Sequence, residues 1–381
     1  MPSKAPEPIL LRDPEALAEA AAQWGREPVL GLDTEFVRTR TFYHRLGLVQ
    51  VGDGRSAWLI DAVAVADLAP LAPVLSSPGL KVLHSASEDM EVFHRSVGTL
   101  PSPLFDTQVA AALAGHGAAL SFQKLVAATL GIELHKAETR TDWTARPLSP
   151  AQLAYAAEDV AYLLPVYEQL RQRLEELGRF EWALEDSAAL LDVSRLDEEP
   201  ETAYLRVRGA GRLKPRQLAA LKLLAAWRER EARKRDLPRG FVLRDELMLE
   251  LARRRPATPA EVKQVPGYEA RQAARHGQAW LALLEAAAGL PEAELPAALS
   301  RAQPSKAAQA LERRLRDRVH ARAAELDLPA EVLVSRRMLG ALLSLTLGKS
   351  EPRLPRELAG WRRAEIGEAL LAEILAFEAG N

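Results

Sequence analysis

The stretch Val29–Leu32 reads VLGL, apolar enough for a buried strand, and two acids break it at once, Asp33 and Glu35. Side chains alternate along a strand, so positions two apart share a face, roughly 6–7 Å from each other. A core strand ending in two acids on one face must stabilise them, because burying an unpaired carboxylate is costly. No Lys or Arg lies between them. Oxygen ligands suit Mg and Mn, so a divalent metal is one resolution. A strand that runs out into solvent with both acids exposed is the other. The choice between them rests on the acids farther along the chain.

The surrounding pattern is α/β. A helix is expected at 14–24 and strands at 29–32, 46–51 and 57–60, the later strands forming an antiparallel meander with a turn at Gly52–Gly54. A helix is expected at 66–75, a short strand at 80–83, then a helix carrying Asp89, Val92 and Phe93. Strands alternating with helices predict a mixed sheet flanked by helices. Asp89 falls near a helix start just after a strand, where α/β proteins build sites, although the helix dipole favours an acid there anyway. Asp106 reads as an N-cap. Residues 121–130 read as a helix, and the polar stretch 135–146 holds Lys136, Arg140 and Trp143, of the residue types that contact a nucleic-acid strand. Ser149, Pro150 and Gln152 spell a helix start, and that helix sets Tyr155 and Asp159 one turn apart on one face. A phenol beside a carboxylate is suited to positioning a water.

The absence of cysteine excludes disulfides, thiolate metal sites and a cysteine nucleophile. No apolar run approaches the ~20 residues of a membrane span. The opening MPSKAPEPIL has neither the basic start nor the apolar region of a signal peptide, so cytoplasm is the expected compartment. The net charge of −2 hides an asymmetry. Residues 1–205 carry 17 Lys/Arg against 30 Asp/Glu, whereas residues 206–275 carry 19 against 8. A basic surplus of that size points to a polyanion partner.

Three segments resemble the exonuclease motifs of the DEDD superfamily: DTEF at Asp33–Phe36, HSASEDMEVF at His84–Phe93 and YAAED at Tyr155–Asp159. The Tyr four residues before the last Asp is that of the DEDDy branch. The longer stretches DTEFVRTRTFYHRLGLVQ and ETRTDWTARPLSPAQLAYAAEDVAYLLPV are similar to the ribonuclease D family. Proline is common in similar proteins where His44 stands; His44 instead offers a titratable contact near substrate. His84 reads as a satisfied histidine at a strand end. The resemblance implies an RNase H-like fold and two divalent metal ions, Mg or Mn, held by Asp33, Glu35, Asp89 and Asp159. Asp33 would bridge both ions, Glu35 and Asp159 would complete one site, and Asp89 would support the other. Tyr155 would orient the attacking water. Thr34 and Phe36 would touch the terminal nucleotide, with Lys136 and Trp143 as further substrate contacts.

Helical periodicity dominates after residue 205, and it repeats. Leu311–Pro329 resembles Leu221–Pro238, with Pro329 and Pro238 at an offset of 91, and Gly360-Trp361 answers Gly267-Tyr268 at an offset of 93. The first copy, with RLKPRQLAALKLLAAWREREARKRDLPRGFVL and the Thr258–Glu261 box, resembles an HRDC domain; the second lacks that box. The expected organisation is an exonuclease domain at 1–205, an HRDC domain at 206–292 and a second, degenerate HRDC-like domain at 293–381. The resemblance implies nucleic-acid binding through Arg228, Arg230, Arg233, Lys234, Arg235 and Arg239, which could instead pair with Glu229 and Glu231.

The expected activity is removal of nucleotides from single-stranded RNA 3′ ends, tRNA precursors among them, by a monomer with no membrane partner. A 3′→5′ DNA exonuclease on the same site and an RNA-binding adaptor are the alternatives. No dinucleotide fingerprint or phosphate loop points to a small-molecule enzyme.

Overall fold

The computed structural model describes residues 6–134, 141–195, 199–299, 306–349 and 351–379. It carries a six-stranded sheet in the order β1-β4-β3-β2-β5-β6, from β1 (Ile9–Leu11), β2 (Val29–Val37), β3 (Arg45–Gly52), β4 (Ala57–Asp61), β5 (Leu80–Leu83) and β6 (Leu104–Asp106). β3 and β4 pair antiparallel, Leu48 opposite Asp61 and Gly52 opposite Ala57. β1 runs parallel to β4, β2 parallel to β5, and β5 parallel to β6. The sheet is therefore mixed, as the alternation of strands and helices predicts. The edge strands β1 and β6 go beyond that reading: three residues are too few for an alternation to register.

Of the helix expected at 66–75 only Leu71–Leu75 is helical, and a separate short helix, Ala62–Val65, precedes it. The Asp61 carboxylate caps Ala62–Val65 by accepting from the backbone N–H of Val63 and Ala64. Ala66, at a positive φ of 59°, then ends it. Asp106 is the N-cap expected of it, accepting from Gln108 and Val109 N–H at 2.7 and 3.3 Å.

The chain divides into two compact units. The first is Met1–Val37, Leu46–Asp192 and Ser305–Asn381; the second is Arg38–Arg45 and Val193–Pro304. Ser305–Asn381, expected within a third domain, is thus grouped with the sheet. In that unit Trp361 stacks on Trp182 with centroids 4.3 Å apart, and Arg362 Nη2 donates to Asp186 at 2.8 Å. The repeat is nevertheless legible in local structure. Each copy has a long helix, Pro215–Arg235 or Lys306–Glu325. Each long helix leads to a left-handed aspartate, Asp236 or Asp327, 91 positions apart at φ 47° and 49°. A four-residue helix and a longer one come next in both, Arg239–Val242 with Asp245–Arg254 and Ala330–Leu333 with Arg336–Thr346.

The core of the second unit is built on the Pro215–Arg235 helix, whose Leu218, Leu221 and Leu224 are buried with Leu247, Met248, Leu251, Trp280 and Leu284. The segment Arg38–Arg45 joins it. Phe42 is buried beside Ala232 and Val242, and Asp236 accepts from the backbone N–H of Phe42 and Tyr43 at 3.0 Å each.

Candidate active site

β2 outlasts its partner. Its ladder to β5 covers Val29–Gly31, so Asp33 and Glu35 extend past the paired segment toward the carboxyl end of the parallel strands. That end is where open α/β sheets place their sites. β5 stops at Leu83, and the next helix, Ser87–Ser96, carries Asp89 in its first turn. The third contribution comes from the helix Pro150–Ala161. Ser149 Oγ accepts from Gln152 N–H at 3.1 Å, and Gln152 Oε1 accepts from Ser149 N–H at 2.9 Å. Pro150 completes the start. The helix delivers Tyr155 and Asp159 on one face, with the Tyr155 hydroxyl hydrogen-bonded to Asp159.

Carboxylate oxygens of Asp33, Glu35 and Asp159 all lie within 4.8 Å of one another. Asp89 stands beside this trio and accepts a hydrogen bond from the Thr34 hydroxyl. Thr34, expected to touch the nucleotide, is therefore buried and engaged in holding Asp89. Phe36 is half-buried. Lys136 lies outside the described residues.

The electrostatics are those of crowded acids. Burial, then the charges of Asp159, Asp89 and Glu35, hold the Asp33 carboxyl well above its usual range. Burial and the Asp159 and Asp89 charges push Glu35 up to about 9. Asp159 is raised by burial to about 7 against the Tyr155 hydrogen bond, and Asp89 by burial to about 6 against that of Thr34. The Tyr155 phenol is also pushed up, by burial and by Asp159, Glu35 and Asp33, so it keeps its proton at neutral pH. No Lys or Arg among the described residues pairs with these four acids. An all-oxygen donor set without an internal cation fits a hard divalent ion.

The cleft over the acids, about 320 Å³, is lined by Asp33, Tyr155 and Asp159 together with His84, Gln108 and Phe122. Thr107 Oγ1 donates to Leu83 O at 3.1 Å, which leaves it to accept from His84 Nδ1 at 2.9 Å. His84 is thus the Nδ1–H tautomer, and burial lowers its pKa, so it stays neutral. Gln108 and Phe122 carry no motif signal. Gln108 Nε2 donates to Leu120 O at 3.0 Å, a tertiary link that draws the start of the Phe122–Leu130 helix to the cleft.

Trp143 departs from expectation. It is 1% exposed and packs with Leu48, Leu59, Leu148 and Ala156, so its ring cannot stack on a base. Arg146 fixes this segment through Asp61, the Trp143 carbonyl and the Gly47 carbonyl. In the second unit His44 accepts from Arg38 at 3.1 Å.

Residues 8–175 match the family model of a 3′→5′ exonuclease, and residues 217–284 match that of the HRDC domain. The chain is 43% identical to ribonuclease D of Pseudomonas paraeruginosa over 368 residues, 96% of this chain and 97% of that protein. The chain belongs to the ribonuclease D family. It is 39% identical to the Escherichia coli ribonuclease D over 359 residues, 93% of this chain and 95% of that one. The crystal structure of Escherichia coli RNase D, an exoribonuclease involved in structured RNA processing, matches at a TM-score of 0.89 and 37% identity, covering 96% of this chain and 98% of that chain. A Bifidobacterium adolescentis protein at 23% identity and a TM-score of 0.71, covering 97% of each chain, shares the fold.

Membership of the ribonuclease D family makes the chain a 3′→5′ exoribonuclease with an RNase H-like sheet and an HRDC domain. The family implies divalent metal ions, and the acid cluster described above suits them. The six basic residues singled out in its HRDC region are mostly engaged inside the second unit. Arg228 is buried and bound to Leu243 O and Asp245. Arg230 pairs with Glu201, and Arg235 with Glu231 at 3.4 Å. Arg233 and Arg239 both bind Glu229, at 3.1 and 2.6 Å. Lys234 alone among them is exposed and has no ion pair among the described residues.

Proposed function

We propose that this ribonuclease D homologue shortens single-stranded 3′ ends of tRNA precursors and other structured RNAs in the cytoplasm, releasing nucleoside 5′-monophosphates with two divalent metal ions. The observation that supports this reading is the convergence of Asp33, Glu35 and Asp159 within 4.8 Å, with Asp89 alongside and no Lys or Arg among the described residues paired with them. Four acids give enough charge for two hard cations: Asp33, Glu35 and Asp159 would hold one, and Asp89 would support the other. When bound, such ions supply a more acidic attacking water and charge neutralisation at the phosphate and at the leaving 3′ oxygen. Tyr155, a protonated phenol beside Asp159, would orient the attacking water. The buried Thr34 hydroxyl holds Asp89.

The test is digestion of 5′-labelled single-stranded RNA and matched DNA with Mg or Mn and with EDTA, beside Asp33→Ala. A ladder shortening from the 3′ end, lost in EDTA and in the variant, is the expected result. A ladder that survives Asp33→Ala overturns the site assignment. Equal or faster loss of DNA overturns the substrate class.

A further inference from the structure

Gln50 lies in β3 with its side chain fully buried, and neither its amide oxygen nor its amide nitrogen has a hydrogen-bond partner among the described residues. Burying an amide unpaired is costly, and nearly all buried polar groups are paired. An apolar side chain of the same size would fill the position without that cost.

The surroundings of the amide follow from the sheet. Gln50 stands opposite Leu59, and Leu48 opposite Asp61, so Leu48, Gln50 and Leu59 share one face. Leu48 and Leu59 pack there with Trp143 and Ala156, so that face is the one covered by the helix Pro150–Ala161. The same helix locates the neighbouring strand. A Cβ at Gly31 would lie 3.5 Å from the Val160 carbonyl oxygen, and one at Gly52 would lie 2.7 Å from it. Gly31 of β2 and Gly52 of β3 therefore meet one atom from adjacent strands, on the same face. Residues 38–44 join these strands and are too few for a parallel crossover, so β2 and β3 run antiparallel. Two steps forward from Gly31 and two steps back from Gly52 then bring Asp33 and Gln50 side by side on that face.

The donors and acceptors on this face give the amide one orientation. The Trp143 indole N–H is also buried without a partner among the described residues, and it can only donate. An ionised carboxylate can only accept. The Gln50 carbonyl is therefore suited to the indole, and its NH2 group to Asp33. The backbone of the covering helix does not compete, because its interior N–H and C=O groups are spent on one another.

We infer that Gln50 is a positioning residue of the metal site: its NH2 group donates to Asp33 and fixes the orientation in which that carboxylate binds metal. The inference rests on the metal-dependent reading above and adds the partner that holds one of its ligands. A carboxylate has about four lone-pair sites, more than an ion takes, and ligating carboxylates are in turn hydrogen-bonded.

The test measures Mn binding to the full chain by electron paramagnetic resonance, with Asp33→Ala as the chain whose site is broken. Gln50→Met keeps the volume and removes the amide. Its Mn affinity is expected to fall about 10- to 100-fold. Its Tm in EDTA should stay at or above that of the parent, because two unpaired polar groups have left the core. In steady-state digestion the Mn concentration for half-maximal rate should rise by the same factor, with the KM for RNA unchanged. A side chain that only fills the core would move neither metal readout. Gln50→Asn carries the test if the Met variant does not fold: it keeps an amide but withdraws it by one methylene, and its Mn affinity is expected to fall as well. Unchanged Mn affinity in the folded variant overturns the role of Gln50 and leaves the metal site standing. A parent chain that binds no more Mn than Asp33→Ala sinks the metal reading itself, and the inference with it.

Discussion

The Trp143 ring lies 6.1 Å, centroid to centroid, from the Tyr155 ring and is tilted 40° to it. The tryptophan that resembled a substrate contact is therefore a wall behind the phenol. Because Trp143 is fully packed, Trp143→Ala is expected to cost about 3–5 kcal/mol of stability. Its kcat should fall as Tyr155 loses its support, and Trp143→Phe should retain more of both. Denaturant unfolding and single-turnover rates measure this. A stable variant with weakened RNA affinity and unchanged kcat would return Trp143 to the substrate.

The crowded acids predict an inverted pH dependence in the absence of metal. Folded-state values of about 6 for Asp89, 7 for Asp159 and 9 for Glu35 exceed the unfolded range near 4. Between those limits the folded chain holds more protons than the unfolded one, so stability falls as pH rises. In EDTA the Tm is expected to drop from pH 5 through about pH 9, more steeply than for Asp33→Asn, which removes one repelling charge. Mg or Mn should flatten the curve. A wild-type curve in EDTA parallel to that of Asp33→Asn contradicts the account.

The arginines on Glu229 are expected to matter for stability. Glu229 is fully buried; burial alone would raise its pKa, but Arg239 and Arg233 leave it below the usual range. The Arg239 guanidinium also lies 4.6 Å from the Phe42 ring centre. Arg239→Ala leaves Arg233 in place, so its cost is set at about 2 kcal/mol, within the range for hydrogen bonds to charged groups. Lys234→Ala, on an exposed side chain with no ion pair among the described residues, should stay within about 0.5 kcal/mol. Calorimetric melting of the two variants side by side decides this; equal Tm values would show that Glu229 does not depend on its partners.

Gly52 sets how closely β3 approaches the helix bearing Asp159. A Cβ at Gly52 would come within 2.7 Å of the Val160 carbonyl oxygen, the residue after Asp159. Gly52→Ala is expected to displace that helix, costing about 1–3 kcal/mol. Shifting Asp159 should also lower kcat by about 10- to 100-fold. Gly211→Ala, where a Cβ meets nothing within 4 Å, serves as the control. Unchanged kcat in Gly52→Ala would mean that the helix accommodates the methyl without moving its acid.

The chain order alone carried much of this protein. Alternation along 29–37 placed Asp33 and Glu35 on one face, and the capping residues at Ser149–Gln152 set the phase that puts Tyr155 and Asp159 a turn apart. Such local rules act over a few residues, so they are legible without a fold. The repeat in the last third was legible for the same reason: each copy preserves its own turn, down to the left-handed Asp236 and Asp327. Burial and pairing were not legible, because both depend on partners distant in sequence. Trp143 was hidden by Leu48 and Leu59, Thr34 was claimed by Asp89, and Gln108 and Phe122 reached the cleft through a link to Leu120. The same dependence decided which arginines are free. A sequence displays every charge, but only the folded chain shows that Arg233 and Arg239 are held by Glu229 while Arg271 and Arg275 are exposed without an ion pair among the described residues.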